Sequence, residues 1–89
     1  MNIEVLFFGK LRELTAVNRR AIVVKDDSKL ADLLERLSEE YGADFHHQVN
    51  NIQGLRILIN GREYTLLGGM EASLKEGDTV VLLPPIFGG

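Results

Sequence analysis

The sequence ends on two glycines, Gly88 and Gly89, and these are the residues best placed to take part in chemistry. Glycine has no side chain to bury and loses more conformational entropy on ordering than any other residue, so these two glycines add nothing to a folded core. Without a Cβ, such a tip can enter a channel that is only as wide as a backbone. The reactive group it offers is a carboxylate on Gly89, which is a poor electrophile until another protein activates it. The alternative is a terminus without any role.

Two prolines, Pro84 and Pro85, separate this tip from the apolar run TVVLL at residues 79–83. Proline has no amide hydrogen for a strand ladder, and its fixed φ favours a stiff, extended departure from the folded body. Six residues from Pro84 to Gly89 reach at most about 20 Å. We therefore expect one domain over residues 1–89, in which 84–89 form an extended and flexible diglycine tail.

Composition limits the other kinds of chemistry. The 89 residues suffice for one small domain, and the absence of cysteine excludes disulfides, thiolate metal sites and a catalytic thiol. The basic residues are scattered and the net charge is −3, so nucleic acid is not an expected partner. No apolar run is long enough to span a membrane and no signal peptide is evident, which predicts a cytoplasmic protein. His46 and His47 are adjacent and would diverge on a regular element, so no metal site is expected.

Alternating and β-branched runs predict five strands. They lie at 2–9, 19–25, 55–60, 62–67 and 79–83, and the fourth is expected to pair only briefly. Asn60-Gly61 is a strong hairpin signal between the third and fourth. Segments 10–18 and 43–54 are interpreted as loops. The single charge in the first strand, Glu4, is expected to face water.

The clearest helix is predicted within 26–42, where leucines and a tyrosine recur on one helical stripe. Asp27 or Ser28 is expected to cap its start and Gly42 to end it. One helix across one face of a mixed sheet predicts an α+β fold of two layers. If the first and last strands lie side by side at the centre, the fold is a β-grasp.

A helix on one face leaves the other face of the sheet open. By alternation, that face is expected to carry Leu6, Phe8 and Leu58, together with Val81 and Leu83 rather than Val80 and Leu82. A cluster this apolar on the surface of a small domain suggests a binding surface, and we predict Phe8, Leu58 and Leu83 as its partner-binding residues. The alternative is that segment 43–54 covers it.

Several segments carry a resemblance to a known family. The start EVLFFGKLREL, the ING at 59–61 and the end LKEGDTVVLLPPIFGG resemble the MoaD/ThiS sulfur carriers over nearly the whole chain, with the closer match to MoaD, the small subunit of molybdopterin synthase. The segment GREYTLLGGMEASL is similar to a variant found among archaeal ubiquitin-like small modifiers. The resemblance implies the ubiquitin-like β-grasp fold, and it implies a carrier protein without catalytic residues of its own.

The resemblance also implies a reaction sequence. A ubiquitin-activating-type adenylating enzyme uses ATP to adenylate Gly89, and the acyl-adenylate becomes a thiocarboxylate. The tail, including Pro84, Pro85, Phe87 and Gly88, then inserts into the large subunit of molybdopterin synthase and donates sulfur to a pyranopterin precursor. No cofactor is expected to bind the chain itself.

Three functions stay open at this point: a sulfur carrier, a modifier conjugated through Gly89 to lysines, and a passive interaction domain. Phe87 departs from the family pattern, which usually has a small residue there. It either fills a pocket of the accepting partner or excludes the tail from a narrow channel. The sequence does not decide between molybdenum and tungsten pathways.

Overall fold

The computed structural model describes residues 1–51 and 54–85, and five strands in these ranges form one sheet. The strands are β1 (Asn2–Phe7), β2 (Arg19–Val23), β3 (Arg56–Ile59), β4 (Arg62–Glu63) and β5 (Thr79–Leu83). Their order is β2-β1-β5-β3-β4, with β1 and β5 parallel and the other neighbours antiparallel. The first and last strands thus meet at the centre, and the predicted α+β, ubiquitin-like β-grasp fold is confirmed.

The faces of the central strands follow the predicted alternation. Ile3, Val5 and Phe7 of β1 are buried, as are Val80 and Leu82 of β5, whereas the residues between them are half-buried. Successive side chains of a strand point to opposite faces, so one charged residue in β1 was enough to indicate which set is buried. The choice of Val81 and Leu83 for the open face is confirmed.

The main helix is α2 (Leu30–Tyr41), and its buried stripe consists of Leu30, Leu33, Leu34 and Leu37. The predicted caps Asp27 and Ser28 were wrong. Lys29 is the N-cap, and its backbone N–H donates to the carboxylate of Asp32 at 2.8 Å. The Ser28 hydroxyl instead donates to the carbonyl of Lys25 at 2.6 Å and closes the preceding turn, which takes it away from the helix.

The segment at 10–18 contains a helix, α1 (Gly9–Thr15), where the sequence predicted a loop. Leu11 and Thr15 are its buried residues, one helical turn apart. A seven-residue helix has too few turns for its periodicity to be recognised in the sequence. Its helix propensity alone would not keep it folded, and burial of Leu11 in the core stabilises it.

A third helix, α3 (Ala43–Asn51), replaces the predicted irregular connection at 43–54. Phe45 and Val49, four residues apart, are both buried, and the Phe45 ring packs edge-on against Phe7 with centroids 6.1 Å apart. Because Phe7 belongs to the core face of the sheet, α3 lies on the same side as α2. The described part of 43–54 therefore does not cover the opposite face.

The chain after β3 turns at Asn60 and Gly61, which have φ of +52° and +82°, as the hairpin signal predicted. Pairing back is limited to β4, and two short 3₁₀ turns follow at Tyr64–Leu67 and Gly69–Glu71. Within residues 1–51 and 54–85, no helix is long and apolar enough to cross a membrane.

Candidate docking face and tail root

An apolar row crosses the middle of the uncovered sheet face. Leu6 of β1 lies beside Val81 of β5, and Val81 lies beside Leu58 of β3. All three side chains are half-buried, which means that part of each remains available to a partner. The row is held by strand register, so its shape is fixed by the same hydrogen bonds that build the sheet.

Phe8 and Leu83 extend this row towards the end of β5. The last paired residues of β1 and β5 are Phe7 and Leu82, and Phe8 remains extended with φ −130° and ψ 161°, so Phe8 and Leu83 follow side by side. We call the set Leu6, Phe8, Leu58, Val81 and Leu83 the apolar face. The structure thus brings the three predicted partner-binding residues together on one surface.

Charged pairs border the apolar face on both sides. Arg19 on β2 bonds Glu4 at 2.7 Å, and Arg56 on β3 pairs with Glu63 on β4. The guanidinium carbon of Arg12 lies over the Phe8 ring, 5.6 Å from its centroid. An apolar centre with a polar rim is the usual anatomy of a protein interface. Sequence reasoning missed this border, because pairing across strands requires the register.

The root of the tail packs against two glycines. A Cβ built on Gly9, at the start of α1, would lie 3.6 Å from Cγ of Pro84, and one on Gly54 would lie 3.6 Å from Cβ of Pro85. Both glycines have positive φ, +56° and +84°, which other residues rarely adopt. The tail therefore leaves β5 immediately after Leu83, at the Phe8 end of the apolar face. Phe87, Gly88 and Gly89 lie outside the described residues.

Alanine at Gly9 is expected to lower the free energy of unfolding by about 1 kcal/mol, because the left-handed conformation strains a residue with a Cβ. The contact with Pro84 at 3.6 Å is ordinary van der Waals distance and should add little. Gly69→Ala is the matched control, since Gly69 has φ +66° and nothing within 4 Å of an added Cβ. Urea denaturation compares the two. A much larger loss at Gly9 would mean that the tail root tolerates no displacement.

The adjacent histidines occupy α3 and were wrongly placed in a loop. The ring nitrogen Nδ1 of His46 lies 3.2 Å from Nδ2 of Asn50, one helical turn on. Among residues 1–51 and 54–85, no cluster of three or more metal-ligating side chains is present. The apolar face and the tail that starts beside it remain the candidate functional features.

A sequence model of the ThiS family matches residues 5–89. The chain belongs to the ThiS family. Two relatives are similar in sequence to this chain over their full length. "Small archaeal modifier protein 3" of Haloferax volcanii is 33% identical, with all of both chains covered. The "Molybdopterin synthase sulfur carrier subunit" of Chlamydomonas reinhardtii is 32% identical, also over the full length of both.

Solved structures give the same fold for the ThiS-family chain. A Haloferax volcanii protein solved in solution superimposes with a TM-score of 0.79 at 32% identity, covering 100% of this chain and 87% of the other. Urm1 of Trypanosoma brucei superimposes with a TM-score of 0.76 at 24% identity, covering 99% and 95% of the two chains. At that identity, the likeness to Urm1 shows the fold alone.

Proposed function

We propose that this chain is the sulfur carrier of a molybdopterin synthase-type complex, with sulfur held as a thiocarboxylate on Gly89. The observation that carries the proposal is the position of the tail root: Pro84 follows Leu83 directly, so the tail starts at the edge of the apolar face. A partner docked on that face is therefore within reach of the tip. The name of the Chlamydomonas relative supports the same assignment.

The proposed activation belongs to a ubiquitin-activating-type partner that uses ATP. The Gly89 carboxylate attacks the α-phosphorus of ATP, pyrophosphate leaves, and an acyl-adenylate forms. A persulfide carried by a second protein attacks the acyl carbon with its outer sulfur and displaces AMP, which gives an acyl disulfide. A thiol then attacks the donor's inner sulfur, so that a disulfide forms on the donor and the thiocarboxylate is released. This chain supplies the carboxylate and the docking surface, and it needs no cofactor or catalytic residue of its own.

The proposed transfer step belongs to the large subunit of the synthase. Docking on the apolar face holds the two proteins together, and the stiff Pro84-Pro85 segment directs the tail into the partner. Holding the reacting groups together raises the effective concentration of the thiocarboxylate at the acceptor. The half-buried side chains Phe8, Leu58 and Leu83 are the proposed contacts of this docked state.

Intact-mass spectrometry tests the carrier function. The chain is co-expressed with its cognate activating enzyme and a sulfurtransferase, and the expected result is the mass change that replaces one oxygen by sulfur at the C-terminal residue. The control omits the activating enzyme and should give the unmodified mass. If no cognate activator produces the change, the carrier function is wrong.

Conjugation to proteins is the second candidate function, and the Haloferax relative named as a small archaeal modifier favours it. In that reaction a lysine amine attacks the activated Gly89 and forms an isopeptide bond. Proteomics after digestion separates the two functions. Gly-Gly remnants on lysines of other proteins favour the modifier, whereas their absence together with restored pterin synthesis favours the carrier.

A further inference from the structure

Strand β2 forms an edge of the sheet, and its outer side carries backbone groups that pair with no other strand. Val24 N donates to Met1 O at 2.9 Å, and Phe7 N donates to Asn18 O at 2.8 Å. These two bonds show which residues of β2 are hydrogen-bonded to β1. Even-numbered residues of β2 therefore bond to β1, and the N–H and C=O groups of Arg19, Ala21 and Val23 point outward. Such an edge is a template for another extended chain.

A cavity of about 450 Å³ lies beside this edge, between the end of β2 and α2. Five carboxylates line it, with Lys25 and Arg36 as the two basic groups. The carboxylates belong to Asp26, Asp27, Asp32, Glu35 and Glu39. Among the described parts of the chain, Asp27, Glu35 and Glu39 form no ion pair, so the cavity offers negative charge that is not neutralised locally.

The opposite side of the same edge is apolar. Val23 is 62% exposed and Ala21 is also exposed, and both side chains lie on the face away from α2. A strand added along β2 would place alternate side chains against Val23 and Ala21, and the intervening ones towards the acidic cavity. The edge therefore suits a strand in which basic and apolar residues alternate.

We propose that β2 binds an extended segment of a partner protein, in which lysine or arginine alternates with apolar residues, by adding it to the sheet edge. This is a recognised mode of peptide binding, in which main-chain hydrogen bonds give affinity and alternate side chains give specificity. The site lies two strands away from the β5 tail root, so it leaves the apolar face free for a different partner.

A second copy of this chain suits the edge less well than a basic partner segment. Its own β2 would supply Arg19 and Arg20, but these residues already pair with Glu4 and Glu40. Pairing with the cavity would require breaking those ion pairs. A foreign strand with unpaired lysines needs no such exchange, and charge complementarity therefore favours it.

Arg36 limits how far the added strand extends. Its Nη1 donates to the outward carbonyl of Val23 at 2.9 Å, and its charge opposes a basic ligand. Replacing Arg36 with glutamine frees that carbonyl and removes the repulsion. Arg36→Gln should therefore strengthen peptide binding, whereas the double variant Glu35→Gln with Glu39→Gln should weaken it, each by about fivefold to tenfold.

The test titrates the ¹⁵N-labelled chain with an acetylated, amidated heptapeptide of alternating lysine and valine. The expected result is shifted and exchange-protected amides at Ala21 and Val23. Ala21→Pro removes an outward N–H, which an edge strand tolerates, and should weaken binding by at least about tenfold. Ala21→Thr is the control that keeps the N–H. A peptide methylated on its backbone nitrogens gives the same test without changing the protein.

Three outcomes would overturn the proposal. They are no binding by the basic peptide, equal binding by a peptide with glutamate in place of lysine, and binding unaffected by both Ala21→Pro and backbone methylation. A concentration-dependent dimer that competes with the peptide and is lost in Ala21→Pro would assign the edge to a second copy instead. Sedimentation of the free chain gives that result directly.

Discussion

A Gly89→Ala protein is expected to fold and dock normally and to accumulate no thiocarboxylate. The substitution adds one methyl group to the last residue of the expected tail, so the free energy of unfolding should not change. The same methyl would meet the walls of a channel shaped for glycine, and a displacement of about 1 Å at a reacting centre costs roughly a hundredfold in rate. Intact mass after co-expression with the activating enzyme measures the loss.

The matched control for Gly89→Ala is Gly69→Ala, which adds the same methyl group to an open surface turn. It should lower the free energy of unfolding by about 1 kcal/mol, as at Gly9, and leave the yield of thiocarboxylate unchanged. Removing Gly88 and Gly89 together should also abolish the product. Full activity of Gly89→Ala, or of the shortened chain, would show that the tail is not the reactive element and would favour a passive interaction domain.

Phe8→Ala is expected to weaken partner binding by about thirtyfold or more. A buried aromatic anchor contributes about 2 kcal/mol or more at an interface, and ~1.4 kcal/mol is a factor of ten. The Phe8 ring is half-buried on the uncovered face and lies below the Arg12 guanidinium. Folding should hardly change, because the buried neighbour Phe7 is untouched. Titration of the large subunit and thermal melts give the two quantities.

Val23→Ala is the control for Phe8→Ala, since Val23 lies on the same sheet face but at the β2 edge, 62% exposed. It should leave binding of the large subunit unchanged. A Phe8→Ala protein that fails to fold would show that the assignment of the sheet faces is wrong. Unchanged binding with normal folding would exclude the apolar face as the docking surface.

Sequence alone predicted the sheet better than the helices. In β1 and β5 the period of two is strict, so one charged residue and one proline pair were enough to define the faces and the strand end. The helix α3 was missed although Phe45 and Val49 carry a helical spacing, because seven of its nine residues are polar or small. The contact of Phe45 with Phe7 stabilises this helix, and a contact between residues so far apart in the sequence does not show in local periodicity.

The candidate site was predicted only in part. Alternation placed Leu6, Phe8 and Leu58 on one face, but their neighbours on other strands depend on register. The Arg19–Glu4 and Arg56–Glu63 pairs join residues fifteen and seven positions apart. The packing of Pro84 against Gly9 joins the two ends of the sequence, and no local pattern encodes such a contact.

The parallel pairing of β1 with β5 also determines when the protein can fold. Glu4 lies opposite Thr79, so the central pair of the sheet joins residues from nearly opposite ends of the chain. Contacts of such high sequence separation slow folding, because the loop must close before the contacts form. A nascent chain interrupted before β5 therefore lacks the central strand of the sheet, Val81 and Leu83 of the apolar face, and the tail. We therefore expect such truncated products to stay unfolded and to bind no partner through the apolar face.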